Sequence, residues 1–368
     1  MFSANQSNQK GMEGAFLTTI ILSFISMYNT VTDTSGDLFF ALRKAQAPEI
    51  KGIYWTANTA GSKARREELI GLARNTELNA VVIDVKDSTG KVFFDSKVPL
   101  AKMIHSENTR YVPDFPDLLK RLREEKIYSI ARIAVFQDPY LAEQMPEIAL
   151  KKADGNLWRD RKGLAWVDPS SLWVWQYNID IAKAAVKMGF DEVNFDYIRF
   201  PSDGDISDIK YRFDEKKIPK NEVIKNFFTF IGKNFEWHEA NTSVDLFGMT
   251  LWRGDGLGIG QRYQDALDSI DFISPMVYPS HYYANFEGYA NPADHPYEIV
   301  YKSLIKAEEN FKNSRAVLRP WLQDFDLGAV YDSDKVRKQI RASKDSHARG
   351  WMLWNASNVY TKGALSAK

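Results

Sequence analysis

The feature that most constrains the fold is a regular alternation of short apolar segments with amphipathic helical segments after residue 50. Eight segments have the length and composition of buried strands, and each but the last is followed by a helical pattern. The predicted strands cover 52–57, 80–86, 127–135, 188–196, 244–252, 272–278, 316–322 and 350–355. Eight such units over roughly 300 residues predict an α/β fold of the closed (β/α)8 TIM-barrel type rather than an open doubly wound sheet.

The segment that precedes the barrel carries a separate prediction. Residues 14–31 are uncharged and mostly apolar, which suits an export signal or, marginally, a membrane span of roughly 20 residues. We therefore expect an export signal or membrane anchor over 1–31, a linker over 32–50 and the barrel over 51–368. A buried helix is the alternative for the apolar segment. The expected location is extracytoplasmic, either membrane-anchored or secreted.

Composition excludes several classes of function. Lys+Arg and Asp+Glu both number 48, so no net field attracts nucleic acid. The chain has no Cys, which rules out disulfides, thiolate catalysis and Cys-bound zinc. The five His show no H-x-x-x-H or H-x-H spacing, and no early turn carries a G-x-G-x-x-G phosphate loop. We expect neither a metal site nor a cofactor.

Asp196 is the leading catalytic candidate, because it ends the fourth predicted strand just before Arg199 and Pro201. Alternate residues of a strand share a face, so Asn194 is expected to point the same way. Active sites of barrels lie at the carboxyl ends of the strands. The second strand offers Asp84 as a partner carboxylate, with Lys86 on the same face by alternation; a structural ion pair between the two is the alternative.

The other strand ends offer acids, amides and aromatic rings, which suit carbohydrate chemistry. Indole rings stack on sugars, amides bind hydroxyls, and glycoside hydrolysis needs two carboxyl groups. Asp324 and Asp255 are further possible proton donors, although Asp324 could instead cap a loop. Glu192 lies deeper and is expected to pair with an arginine. The substrate-binding candidates, whose tryptophans could equally be packing residues, are Lys86, Asn194, Arg199, Trp252, Arg253, Tyr278, His281, Gln323 and Trp354.

Several longer motifs carry a family resemblance. They are Lys51-Gly-Ile-Tyr54, Val82-Ile-Asp-Val-Lys-Asp87, Phe195-Asp-Tyr-Ile-Arg-Phe-Pro201, Ser274-Pro-Met-Val-Tyr-Pro-Ser-His281, Pro320-Trp-Leu-Gln323 and Gly350-Trp-Met-Leu-Trp354. With these motifs, residues 52–355 resemble the glycoside hydrolase domain family of bacterial TIM-barrel proteins that was long catalogued as a domain of unknown function. The resemblance implies a barrel that acts on glycans, without an established substrate.

A comparison with chitinases of the substrate-assisted type narrows the mechanism. Those enzymes carry D-x-x-D-x-D-x-E on the fourth strand, with the last Glu as the acid. In this chain Asp191, Asn194 and Asp196 fall near the three acids, but Ile198 stands in place of the Glu. The usual form of that mechanism is therefore excluded.

The sequence thus predicts a glycosidase for an extracytoplasmic or cell-wall polysaccharide or oligosaccharide. Asp196 is expected to act as nucleophile or base, with Asp84 or Asp324 as its partner. One alternative is a carbohydrate-binding barrel without catalysis at the cell envelope. A weaker one is metal-dependent hydrolysis such as deacetylation, which the absence of a His pair disfavours.

Overall fold

The structure is a computed structural model that describes residue 44 and residues 48–109, 111–312 and 314–368. The apolar segment 14–31 and most of the expected linker lie outside the described residues. Within the described ranges, no helix combines the length and the apolar character that a membrane crossing needs.

The strands follow the order of the sequence prediction, with two short additional strands in loops. Nine of them form one parallel sheet in the order β10-β11-β1-β2-β3-β5-β7-β8-β9, and β4 and β6 form a small antiparallel pair. The strands are β1 Ile50–Trp55, β2 Ala80–Lys86, β3 Tyr128–Ala134, β4 Lys151–Lys152, β5 Glu192–Asp196, β6 Ile209–Lys210, β7 Asn241–Phe247, β8 Phe272–Met276, β9 Val317–Leu318, β10 Trp321–Gln323 and β11 Gly350–Trp354.

Helices connect the strands and cover the outside of the sheet. The second helix begins after Ser62, whose hydroxyl accepts a hydrogen bond from the Arg65 N–H at 3.4 Å, as expected for an N-cap. The helices are α1 Ala57–Gly61, α2 Lys63–Asn75, α3 Pro99–Met103, α4 Phe115–Glu124, α5 Pro139–Gln144, α6 Leu172–Met188, α7 Lys220–Phe235, α8 Pro296–Ile305, α9 Glu308–Lys312 and α10 Ser333–Asp345.

The sheet closes on itself through the seventh unit. Arg319 and Pro320 interrupt this strand and divide it into β9 and β10, because proline has no N–H to give to a ladder. β9 pairs with the start of β8, and Trp321 of β10 pairs with Met276 at the end of β8. Since β10 also pairs with β11, the ring is complete. The predicted (β/α)8 barrel is confirmed.

The fifth barrel unit departs from the prediction. We expected its strand over 244–252, but β7 ends at Phe247 and a 3-10 turn follows over Gly248–Leu251. The helical pattern that follows this predicted strand, over 261–269, forms only a 3-10 turn, Tyr263–Ala266. Residues 250–253 therefore lie in and after a turn. The alternation of side chains along a strand does not predict the directions of their side chains.

Alternation along the strands divides the core into two parts. The outward side chains pack under the helices in the larger apolar cluster, which includes Ile53, Val81, Ile83, Ile133 and Phe195. The inward side chains form a smaller cluster inside the barrel, with Tyr54, Val82, Ile130, Tyr278, Trp321 and Met352 among its members. The inward set also contains the charged residues that bear on function.

Glu192 and Arg319 form an ion pair at the lower, amino-terminal end of the barrel interior. The Arg319 guanidinium donates from Nη1 to Glu192 Oε2 at 3.2 Å and from Nη2 to Oε1. Both side chains are fully buried. Tyr128, at the start of β3, donates its hydroxyl to the same carboxylate at 3.3 Å. The expectation that Glu192 pairs with an arginine is confirmed.

Loss of the Glu192 charge should destabilise the barrel. In Glu192→Gln the Arg319 cation stays buried without its partner, which costs about 3–5 kcal/mol in free energy of unfolding. Urea unfolding checks this value. Glu68→Gln, which removes an exposed partner of Arg65, is the control and should change stability by about 1 kcal/mol or less. Equal effects of the two substitutions would contradict the assignment.

Candidate active site

Arg132 lies at the centre of the candidate site. It is the fifth residue of β3 and points into the barrel, where it is 4% exposed. Its Nη1 donates to Asp84 Oδ1 at 2.6 Å, and its Nε donates to Asp196 Oδ2 at 3.1 Å, with Nη2 donating to the same oxygen. One guanidinium therefore holds carboxylates from β2 and β5 together.

Asp84 is bound from two sides. In addition to Arg132, the Tyr54 hydroxyl on β1 hydrogen-bonds to Asp84 Oδ2 at 2.5 Å. Burial raises the pKa of Asp84 and outweighs the lowering effects of Arg132 and Tyr54. Burial lowers the pKa of Arg132, but Asp196 and Asp84 more than offset this, so that its pKa lies well above the ordinary value.

Asp196 ends β5, as predicted, and is held by a strained backbone. Its Oδ1 accepts a hydrogen bond from the Tyr197 N–H at 2.6 Å. Tyr197 has a φ of 54°, in the left-handed backbone region that residues other than glycine rarely adopt. Strain of this kind persists only where the surroundings enforce it, and it is frequent at functional sites.

Asp245 is a third carboxyl group beside Arg132. It lies on β7, and its Oδ2 is 4.0 Å from Arg132 Nε. Its Oδ1 accepts hydrogen bonds from Asn194 Nδ2 and from Trp321 Nε1, both at 2.8 Å. Asn194 shares the inward face with Asp196, as expected, and its amide holds Asp245 in place.

A cleft of about 300 Å³ opens above this cluster, which is the lower end of the volume of small-ligand sites. Two acids and two cations contribute its charged lining, together with rings that include Tyr54 and Trp354; the charged residues are Asp84, Asp87, Lys91 and Arg132. The Trp354 and Tyr54 rings stack with centroids 4.1 Å apart, and the Arg132 guanidinium carbon is 5.1 Å from the centre of the Trp354 ring. The cleft thus combines a charged floor with an aromatic wall.

Lys86 does not share the face of Asp84, contrary to the expectation from alternation. The pairing of β2 with β3 shifts register between Asp84 and Lys86, and a shift of one residue turns the following side chain to the other face. Lys86 Nζ is 2.8 Å from Asp138 Oδ2, with both side chains fully buried. The alternative of an ion pair between Asp84 and Lys86 is also wrong, because each has another partner.

Trp252 and Arg253 follow the 3-10 turn and point away from Arg132. Trp252 Nε1 donates to Ser303 Oγ on α8 at 2.9 Å, and its ring packs against Phe286. Arg253 is exposed and pairs with Asp255, one of the possible proton donors. The structure therefore does not bring these three residues to the carboxylate cluster.

Tyr278 and His281 follow β8. Tyr278 belongs to the apolar cluster inside the barrel, and burial together with the charges of Asp245 and Asp196 raises its pKa well above the ordinary value. His281 is exposed and packs edge-on against the Tyr278 ring, with centroids 5.1 Å apart. Tyr278 thus lies close to the acids, and His281 lies farther out on the rim.

Gln323 and Asp324 organise loops at the end of β10. The Gln323 amide accepts from the Ser280 N–H at 3.2 Å and donates to the Phe325 carbonyl at 2.9 Å. The Asp324 carboxylate accepts from the backbone N–H and the hydroxyl of Thr361, at 2.9 and 2.6 Å. These contacts match the alternative in which Asp324 caps a loop.

Arg199 lies next to the cluster, and within the described ranges it makes no ion pair with a carboxylate. Its guanidinium carbon is within 5.0–5.5 Å of the ring centres of Trp166, Tyr197 and Phe247. Nη1 donates to the Phe200 carbonyl at 3.2 Å and to Ser202 Oγ at 3.0 Å. Burial lowers the pKa of Arg199, and nearby Tyr197 and Asp196 oppose this effect.

Sequence reasoning missed Arg132, Asp245 and Asp87. The signal for the first two was a single charged residue inside an otherwise apolar strand, in Ile130-Ala-Arg-Ile and Ser243-Val-Asp-Leu. Such a residue requires a buried partner. Among the described residues, no group of three or more His, Asp or Glu side chains is arranged to hold a metal ion.

Solved structures share the architecture of this chain. The PgaB (BpsB) glycoside hydrolase domain from Bordetella bronchiseptica matches with a TM-score of 0.60 and 14% identity, over 84% of this chain and 95% of that one. A GH20 exo β-N-acetylglucosaminidase from Vibrio harveyi matches with a TM-score of 0.53 and 10% identity, over 83% and 50%. At these identities the similarity shows the fold alone.

Sequence comparison is more specific. A hypothetical protein from Ruminiclostridium thermocellum is 34% identical over 56% of this chain and 98% of its own, with a TM-score of 0.48. No curated protein matches the sequence. Residues 52–360 match the profile of the family described as "Putative glycosyl hydrolase domain". The chain belongs to this family, which confirms the resemblance and makes the protein a glycosidase by family.

Proposed function

We propose that this protein hydrolyses a glycosidic bond in a polysaccharide or oligosaccharide, with Asp196 as nucleophile or as base toward water and Asp84 as its partner. The observation that carries the proposal is the shared guanidinium of Arg132, which holds both carboxyl groups together and, with Asp84, lines the cleft. Glycoside hydrolysis needs such a pair. Asp324 is the weaker candidate, because Thr361 occupies both of its oxygens.

The two acids have surroundings that suit different roles. Arg132 approaches Asp196 through two nitrogens, which stabilises the negative charge that a nucleophile or base requires. Burial raises the pKa of Asp84, which favours a carboxyl group that keeps a proton for the leaving oxygen. Carboxyl groups bound to one guanidinium lie close together, which favours the retaining geometry of about 5–5.5 Å over the wider inverting one.

The aromatic wall of the cleft is the proposed sugar subsite. Trp354 is half-buried and stacks on Tyr54 directly above Arg132, so a sugar ring packed against this wall would have its glycosidic bond near the acids. Tyr278 lies close to Asp245 and Asp196, but it is buried in the apolar cluster inside the barrel and does not line the cleft. Arg199 is proposed to contact the substrate from the rim.

The low exposure of the acids favours one second candidate. Asp84 is 3% exposed and Asp196 is 8% exposed, as in a barrel that binds glycans through its aromatic wall without cleaving them. Glycan binding without release of reducing ends, in wild type and in Asp196→Asn alike, would support this candidate over hydrolysis.

Substitution of either acid should remove turnover while the fold is retained. A panel of bacterial and plant polysaccharides, assayed for new reducing ends, identifies a substrate for the wild type. On that substrate Asp196→Asn and Asp84→Asn are expected to lose at least about 10²–10⁴-fold in kcat, the usual contribution of an acid or base.

The control for these variants is Asp268→Asn, an exposed acid in the loop that enters β8 at the opposite end of the barrel. It should keep wild-type turnover. Asp324→Asn tests whether Asp84 or Asp324 is the partner of Asp196. The proposal expects this variant to be less stable but to keep its kcat. Full activity of Asp196→Asn, or a loss in Asp324→Asn that exceeds the loss in Asp84→Asn, would contradict the assignment.

We also propose an extracytoplasmic location, on the ground of the uncharged segment 14–31. The full chain should float with liposomes in a density gradient if this segment is an uncleaved anchor, because an apolar stretch of this length favours the bilayer. A variant with Asp placed at positions 20 and 24 is the control and should stay at the bottom. Release of the chain into the medium, cleaved after the segment, would instead indicate a secreted protein, and retention in the cytoplasm would contradict both.

A further inference from the structure

The cluster around Arg132 holds more acid than one cation can neutralise. Asp84, Asp196 and Asp245 reach Arg132 from three different strands, and each of the four residues is at most 8% exposed. Three carboxylates against one guanidinium would leave two uncompensated negative charges in a site with little water, which is costly. Even with the proposed proton on Asp84, two carboxylates would share one guanidinium, so a second of the three carboxyl groups must also hold a proton.

The contacts indicate which group this is. Asp84 and Asp196 each accept a direct hydrogen bond from the guanidinium, at 2.6 and 3.1 Å. Asp245 is the most distant, at 4.0 Å from Nε. Its Oδ1 already accepts two hydrogen bonds, from Asn194 and Trp321. Within the described residues its Oδ2 accepts none, so this oxygen has room for a proton.

We propose that Asp245 is a positioning residue that stays protonated on Oδ2 at neutral pH and thereby leaves the Arg132 guanidinium to Asp84 and Asp196. The consequence for turnover rests on the proposed roles of those two acids. Ionisation of Asp245 would place a further negative charge beside Nε, where it would compete with Asp196 for the same nitrogen. The catalytic pair would then lose its shared cation.

The electrostatic surroundings agree with this assignment. Burial and the neighbouring charge of Asp196 raise the pKa of Asp245 to about 8, although Arg132, Asn194 and Trp321 lower it. Three neighbouring units of the barrel contribute charged or titratable groups to this environment. The titratable and charged groups that face it are Asp196 on β5, Arg132 on β3 and Tyr278 after β8, whose own pKa is raised well above its ordinary value.

The first test locates the proton by infrared spectroscopy of the full chain across a pH titration. The wild type should show a protonated carboxyl C=O band that disappears with a midpoint near pH 8. The band should be missing in Asp245→Asn and present in the controls Asp268→Asn and Asp84→Asn. In Asp196→Asn it should titrate at lower pH, because the repelling charge is gone. An unchanged band in Asp245→Asn, or its loss in Asp84→Asn, would overturn the proposal.

The second test uses the pH dependence of stability. The folded pKa of Asp245 lies above its ordinary value of 3.8, so its contribution to stability is complete below that value and is lost as the pH rises through about 8. Asp245→Asn cannot ionise and should lack this loss. Its denaturation midpoint should therefore rise relative to that of the wild type as the pH increases. A constant difference between the two midpoints across the pH range would overturn the proposal.

Neither test requires turnover, so the two proposals can fail separately. If Asp196→Asn keeps full activity while the infrared band behaves as expected, the proposed function fails and the proton on Asp245 stands. If activity depends on Asp196 but the band is absent, the present inference alone fails. With a substrate in hand, wild-type activity should fall above about pH 8, and Asp245→Asn should keep its activity there.

Discussion

The shared guanidinium of Arg132 is the interaction on which the rest of the site depends. It satisfies acids from β2 and β5 at once, and removing it would leave carboxylates buried without a cation. Buried charges are tolerated only with paired, hydrogen-bonded partners. The strands that carry the acids and the arginine are consecutive neighbours in the sheet, so strand pairing alone brings these side chains together.

The barrel interior is built in charged and apolar levels. Glu192 and Arg319 pair at the lower end, and Arg132 with its acids lies at the upper end. Apolar side chains such as Val82 and Ile130 fill the space between them. The lower pair is fully sealed, whereas the upper cluster meets the cleft. The buried ion pair at the lower end therefore stabilises the fold, whereas the paired charges at the upper end are accessible to a substrate.

Much of this was predictable from the sequence, for physical reasons. The periodicity of the strands predicts the barrel, and the sequence Asp196 to Pro201 marks the end of a strand, where barrels place their chemistry. Glu192, two inward positions deeper on the same strand, was expected to pair with an arginine. These inferences use only the alternation of neighbouring side chains, which the geometry of a strand determines.

The remaining features depend on contacts that a pattern does not contain. The position of Lys86 was wrongly predicted because one register shift after Asp84 turned its side chain to the other face of β2. Trp252 was misplaced because β7 ends five residues before it. Arg132 and Asp245 were missed because a single charge in an apolar strand does not reveal its partner. The partners lie 48 and 51 residues away in the sequence, and the pairing of neighbouring strands brings them together.

The most direct measurement of the central claim is the free energy of unfolding of Arg132→Met against wild type as a function of pH. Without the guanidinium, the acids can avoid repulsion only by taking up protons, so the account predicts a small difference at acidic pH. The difference should widen as the pH rises, to about 3–5 kcal/mol, the cost of breaking a buried ion pair. A difference that does not change with pH would contradict the claim that the positive charge of Arg132 holds the acids together.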